Sequence, residues 1–285
     1  MFPYLGLKAS TNQRQIDERL QYHPQVFEFF TIEADVTSDG LDHLKNMIDY
    51  VQNSGVAHVV IHHPMKFEGV HNEVSVDPNT NPKQYQFMMT SSKNLIQIAK
   101  QFGIQLLIHG GYNQPVSKII QQFGSIQAGR KIVFERLDYF KSFGESNVMF
   151  ENSISPLFDF GDSTVEQAVV EHQYRLCYDT SHGFIVLHGN NQKLQESMRR
   201  LQGQVVHYHF VDSMGQFHDS LQLGKGAIDW RPLKQVVNRR ATNIFEINLK
   251  DQFNSLEMQA SYDYLKNLWK WFNVIAQNLH RWEMR

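Results

Sequence analysis

The chain has 285 residues, 41% hydrophobic and 12% aromatic, enough for a packed core and close to the roughly 250 residues of one α/β barrel. A formal net charge of −2 excludes a global pull toward nucleic acid or an anionic membrane, and the lone Cys177 excludes an internal disulfide and points to a reducing compartment. No apolar run reaches the roughly twenty residues that span a bilayer, and the opening MFPYLGLKAS lacks a basic stretch ahead of an apolar one, so a soluble, cytoplasmic protein is expected.

Strand and helix patterns alternate along the whole chain. YLGLKAS reads as strand one, the polar NQRQIDERLQYH as a helix, and VFEFFTI as strand two. In GLDHLKNMIDYVQNSG, Leu41, Leu44, Ile48 and Val51 share one helical face, and Gly55 supplies a stop. VAHVVIHH is strand three. The segment from Pro64 to Pro82 predicts a long loop over the barrel mouth, a kind of loop that is often functional. KQYQFMMTSSKNLIQIAKQFG is a helix before strand four, IQLLIHGG, and a helical stretch to Gly144 leads into strand five, NVMFENS. Helix TVEQAVVEHQ precedes strand six, RLCYDTSH, and helix NQKLQESMRRLQ precedes strand seven, VVHYHFVDS. A glycine-bearing loop, SMGQFHDSLQLGKG, then helix DWRPLKQVVNRR, lead to strand eight, TNIFEINL. A long helix from SLEMQASYDYLKN closes the chain, and its LWKWF stretch is a face for the barrel or an oligomer contact. Eight strand–helix units without a linker or low-complexity segment predict a single (β/α)8 TIM barrel domain over residues 1–285.

Six apolar runs end in a potential metal ligand: His62 with His63, His109, Glu151, Asp179 with His182, His209, and Glu246. Parallel strands carry such residues to one end of a barrel. Strand residues alternate between inside and outside, so only one of His62 and His63 points inward, and His207 and His209 face the same way one layer apart. Imidazoles and carboxylates in this mix suit Zn2+, Mn2+, Co2+ or Mg2+. Several carboxylates at one barrel mouth repel unless a cation or protons intervene, which favours metal over a buried polar network for Glu151, Asp179, His209 and Glu246. His62, His109 and His182 are further ligands or substrate contacts. His218 and Asp219 belong either to a surface loop or to the site, while His207, Cys177 and Trp230 are expected to pack.

The succession FENS, YDTSH, HFVDS, LGKGAIDW and FEINL resembles the xylose isomerase-like TIM barrels, a superfamily of sugar isomerases and epimerases together with the endonuclease IV family. The resemblance spans roughly the whole chain and is strongest from Glu151 to Glu246. It implies that Glu151, Asp179, His209 and Glu246 form the shared metal site. It also implies that His62 and His109 join Glu151 around a zinc in the endonuclease branch, where His182 helps hold a third. That branch carries an Asp-x-His pair before its glycine turn, where this chain has His218-Asp219-Ser220-Leu221. Where endonucleases place DNA-penetrating residues after strand two, the chain has Ile32-Glu33-Ala34-Asp35, which repels phosphate. Gly226-Ala227-Ile228-Asp229-Trp230 and Glu28 are similar to the sugar isomerases, although no arginine follows His209 at the spacing some ketose epimerases use.

The expected activity is therefore a divalent-metal sugar or sugar-phosphate isomerase or epimerase acting through an enediolate. Glu151 and Glu246 would move a proton between carbons, and His182 would hydrogen-bond a substrate oxygen. His62, His109 and His218 are candidate substrate contacts. A small-molecule sugar is the expected partner, with homo-oligomerisation open. The alternative is zinc-dependent phosphodiester hydrolysis at abasic DNA, and a non-catalytic sugar- or metal-binding relative is a third class.

Overall fold

In the computed structural model, residues 2–283 are described, with side chains described for residues 2–270. Eight barrel strands run β1 (Gly6–Ala9), β2 (Val26–Phe30), β3 (His58–His62), β4 (Gln105–His109), β5 (Val148–Glu151), β6 (Leu176–Asp179), β7 (Val205–Phe210) and β8 (Thr242–Phe245). They pair in that order, every pair parallel. The sheet thus forms the nearly closed barrel that the strand–helix alternation predicts. At the seam between β8 and β1 the backbones approach so closely that a Cβ on Gly6 would lie 1.8 Å from the Asn243 carbonyl oxygen. Asn243 bridges the gap by accepting from Tyr4 N at 2.9 Å and donating to Tyr4 O at 3.0 Å.

Alternation divides each strand between two surroundings. Phe27, Phe29, Ile61, Leu106, Ile108, Phe150 and Tyr178 join the large core. Val60, Leu107, Met149 and Cys177 form a separate small cluster. Helix α1 (Gln13–Leu20) follows β1, and α2 (Ser38–Asn53) follows β2 with Leu44, Ile48 and Val51 buried. Burying such a side chain contributes about 1.5–3 kcal/mol. The Thr37 hydroxyl accepts from Gly40 N to start α2, and Gly55 adopts φ +89° just beyond its end, a conformation that costs glycine little.

Four segments differ from the sequence expectation. The long segment after β3 carries a small antiparallel hairpin, Lys66–Phe67 against Val70–His71, before α3 (Pro82–Phe102). The stretch after β4 splits at Gly124, φ +79°, into α4 (Val116–Phe123) and α5 (Ile126–Gly144). After β5 and α6 (Ser163–Glu171), β6 stops at Asp179, whose side chain accepts from His182 N and so starts the short helix α7 (Thr180–Val186). Helix α8 (Asn191–Leu201) precedes β7, but the helix before β8 shrinks to α9 (Trp230–Leu233). There the chain is tied back to β7 through Asn238, which donates to Val205 O and the Tyr208 hydroxyl at 2.8 Å each.

The last helix, α10, covers Leu256–Glu283. Trp269 from the LWKWF stretch stacks on Phe2 at 5.6 Å and donates to Trp230 O at 2.9 Å, so this part packs on the barrel. Trp271 and Phe272 lie outside the described side chains. No described helix is long and apolar enough to cross a membrane.

Candidate metal centre and active site

Because β4 to β8 are in parallel register, their C-terminal ends converge. His109 lies opposite Glu151 across β4 and β5, and Asp179 lies opposite His209 across β6 and β7. Glu246 follows β8 by one residue. Glu151, Asp179, His209 and Glu246 each offer a ligand atom within 4.8 Å of the others, and His109, Glu151 and His182 do the same. The sequence-predicted residues are therefore brought together.

His209 sits at the centre of this group. Its Nδ1 lies 2.7 Å from Glu246 Oε2 and 3.1 Å from Glu151 Oε1, and its Nε2 lies 3.0 Å from Glu28 Oε2. Glu28 therefore accepts from Nε2–H and turns Nδ1 toward Glu151 and Glu246, the placement that carboxylates behind metal-ligating histidines give the ring. In this arrangement the surrounding carboxylates hold the His209 imidazole well above its ordinary value despite burial. Glu28 is balanced by Lys8 Nζ at 3.3 Å and His207 Nε2 at 3.3 Å. Lys8 also pairs with Glu246. Burial alone would raise the Glu28 carboxyl, but the His209 and Lys8 charges hold it far below the usual carboxylate range. Burial would likewise lower Lys8, and Glu246 and Glu28 reverse that to keep it a cation.

Around Glu151, His62 Nε2 lies 3.3 Å from Oε2, His182 Nδ1 lies 3.7 Å from Oε1 and His109 Nε2 lies 4.0 Å from it. His62 Nδ1 donates to His63 O at 2.8 Å, which leaves its Nε2 for the site. His63 turns the other way, with Nε2 2.8 Å from Ser91 Oγ on α3, and burial pushes its imidazole down to about 3. His182 Nδ1 donates to Asn152 O at 2.9 Å. Burial pulls His182 down, yet the Asp179 and Glu151 charges raise it above the ordinary imidazole value. His109 is pushed down to about 3 by burial.

The residues present fit a divalent cation. Glu151 Oε2 and Asp179 Oδ2 are buried with no hydrogen bond. The other Asp179 oxygen is already taken by Ser181 Oγ at 2.9 Å and His182 N at 2.7 Å. Buried carboxylate oxygens left without donors are costly unless a cation or proton meets them. Imidazole and carboxylate together make the donor set of Zn2+ or Mn2+.

Other candidates divide between site and scaffold. The His218 ring lies 4.9 Å from that of His182, which puts it at the site, whereas Asp219 accepts from Met214 N at 2.9 Å and ties its own loop. His207 is fully buried and bonded to Thr242 Oγ1 at 2.6 Å, and Cys177 is buried in the small cluster. Asp35 binds Thr11 Oγ1 and Ile32 N, and Glu33 accepts from Glu68 N. The Lys8 role escaped the sequence, since one lysine inside YLGLKAS carries no ligand signature. Tyr112 was missed too. It stacks on His109 at 4.5 Å and on His71 of the hairpin at 4.7 Å, joining the long loop to the site.

The segment LGKGAIDW is scaffold. The Asp212 carboxylate, just beyond β7, accepts from Gly224 N (2.8 Å), Ile228 N (3.2 Å), Ser213 N (2.9 Å) and Trp230 Nε1 (3.1 Å). A Cβ on Gly226 would lie 2.3 Å from Asp212 Oδ1, so the loop wraps this carboxylate too closely for a side chain there. Asp212→Ala should lower the melting temperature by several degrees in thermal denaturation, because each stranded buried donor costs about 1–3 kcal/mol. An unchanged melting temperature would contradict the scaffold role.

Known structures share this architecture. A D-tagatose 3-epimerase-like protein superposes with a TM-score of 0.68 at 14% identity, covering 96% of this chain and 99% of that one. D-psicose 3-epimerase from Clostridium cellulolyticum H10 gives 0.65 at 13%, covering 93% and 99%. SacUVDE gives 0.57 at 11%, covering 89% and 83%. At these identities the likeness is one of fold. No curated protein matches the sequence. The family model described as xylose isomerase-like TIM barrel matches residues 74–268, most of the chain and five of the eight strand ends at the centre, and the protein belongs to that family.

Proposed function

We propose that the protein is a metal-dependent sugar isomerase or epimerase. The observation that carries this is the convergence of Glu151, Asp179, His209 and Glu246 beside a cavity of about 180 Å³ lined by His62, His109, Tyr112, Glu151, His182 and Glu246 among others. Glu151, Asp179, His209 and Glu246 would hold one divalent cation, which supplies Lewis-acid polarisation of a carbonyl and its neighbouring hydroxyl when bound. Glu246, with its side chain 22% exposed, removes the proton from the carbon beside the carbonyl. Glu151 stands across the centre and delivers a proton drawn from solvent to the neighbouring carbon or to the opposite face, while the proton on Glu246 is released to solvent. Lys8, paired with Glu246, keeps that carboxyl ionised between turnovers. His182, its Nδ1 committed to Asn152 O, turns Nε2 to a substrate oxygen. His62, His109 and His218 contact substrate hydroxyls, and Tyr112 backs His109 and excludes water from that side.

The second reading, phosphodiester hydrolysis at abasic DNA, is favoured by one observation: His62, His109 and His182 surround Glu151 as additional donors. Against it stand the exposed Glu33 after β2 and the broken Asp-x-His at His218-Asp219-Ser220. DNA binding draws on several cationic phosphate contacts. The two readings part in one experiment. Manganese- and zinc-loaded protein should exchange ketose C–H protons with D2O and leave a duplex with one abasic site intact at low salt. Efficient incision that disappears in Glu151→Gln would replace the isomerase with the nuclease.

A further inference from the structure

Two cavities adjoin at the centre. The inner one, about 180 Å³, lies over the carboxylates and histidines. The outer one, about 790 Å³, shares Met65, His218 and Glu246 with it and extends along Phe30, Ile32, Ile247 and Met258. Pockets for drug-sized ligands measure about 300–1,000 Å³. The inner cavity is too small for such a ligand and suits the reacting end of a sugar, whereas the outer one accepts a group larger than that end.

The charge along the outer cavity is balanced. Its cations are Lys8 and Lys66, and its carboxylates are Glu33 and Glu246. Lys8 is already paired with Glu246 and Glu28. No arginine lines either cavity, so the bidentate fork that commonly recognises phosphate is missing among the described residues. TIM barrels frequently bind phosphate at the loops after strands seven and eight, beside a short helix. Here the Gly224, Ile228 and Ser213 N–H groups of that region are spent on the Asp212 carboxylate, and Arg231 N donates to Asp229 Oδ1 at 3.2 Å. An internal carboxylate thus occupies the Ser213, Gly224 and Ile228 donors of the loop after β7.

Resting on the isomerase function above, we propose that the substrate is a non-phosphorylated sugar carrying an uncharged substituent, a second sugar ring or an aryl group, distant from its reacting carbons. The reacting carbons lie in the inner cavity. The substituent lies in the outer one, against Phe30, Ile32, Met65 and Met258.

Matched ligands test this. D-fructose, D-tagatose and D-psicose, each as the free ketose, the 6-phosphate and the 6-O-benzyl ether, are incubated with manganese-loaded protein in D2O, and deuterium incorporation is followed by NMR. At least one ketose should show kcat/KM about tenfold or more higher as the benzyl ether than as either other form, the discrimination one apolar contact supplies. Exchange that is equal across the forms, or fastest with the phosphate, overturns the substrate class and leaves the isomerase standing. Absence of exchange with every form overturns both. Ile32 is 56% exposed, so Ile32→Asp leaves the fold intact. It should reduce the ether's advantage over the free ketose about tenfold, and an unchanged ratio overturns the placement of the substituent.

Discussion

Alanine at Asp179 or His209 should strip the divalent cation from the purified protein and lower turnover about a thousandfold or more. The magnitude follows from the several kcal/mol of transition-state stabilisation a bound cation supplies, at about 1.4 kcal/mol per factor of ten. Asp179 contributes a buried oxygen with no hydrogen bond, and His209 contributes the Nδ1 that faces two carboxylates. Removing His209 also leaves Glu28, Glu151 and Glu246 facing one another, so this variant loses stability as well. Asp179→Asn separates the two effects. It retains the hydrogen-bond acceptor that starts α7 and removes the anionic ligand. Elemental analysis reads the result directly, and wild-type metal content in both Asp179→Asn and His209→Ala would defeat the ligand assignment.

Glu246→Gln should reduce exchange of substrate C–H with deuterated solvent by about a hundred- to ten-thousandfold, the range attached to one general base. Glu246 is the carboxylate where the two cavities meet, and Lys8 and His209 fix its two oxygens. Glutamine keeps the shape and one oxygen donor, so substrate affinity should change only a few-fold, a split of kcat from binding that marks a group acting on the reaction itself. Exchange at the wild-type rate would remove Glu246 as the obligatory base. Glu151→Gln is the companion variant. A protein that exchanges the proton but no longer completes isomerisation would identify Glu151 as the partner that delivers the second proton.

Much of the barrel was legible because its signals are local. Val-, Ile- and Phe-rich runs ending in His, Glu or Asp mark strands that deliver a side chain at their C-terminal ends, and Leu44, Ile48 and Val51 mark the buried face of α2. The boundaries that differed depend on contacts local periodicity does not contain. Asp179 ends β6 by capping α7, and Asn238 draws the chain after α9 back to β7. The centre's first ring was legible for the same reason as the strands, since each member closes an apolar run. Its supports were not. Lys8 sits in a strand like any other, Asn152 follows Glu151 without a motif of its own, and Tyr112 lies three residues past His109 in a loop.

By itself the sequence determined the eight strand–helix units and which strand ends carry the His, Glu and Asp side chains that converge, because alternation and strand termination are properties of neighbouring residues. It also determined that His62 and His63 would face opposite ways, though not which would face in. Only the tertiary structure decided that His62 meets Glu151 while His63 turns to Ser91. It alone showed Glu28 and Lys8 orienting His209 and Glu246, and Asp212 filling the glycine-rich turn after β7. Those relations join residues up to 238 positions apart in the chain, and register across parallel strands, not spacing along one of them, brings such residues within bonding distance.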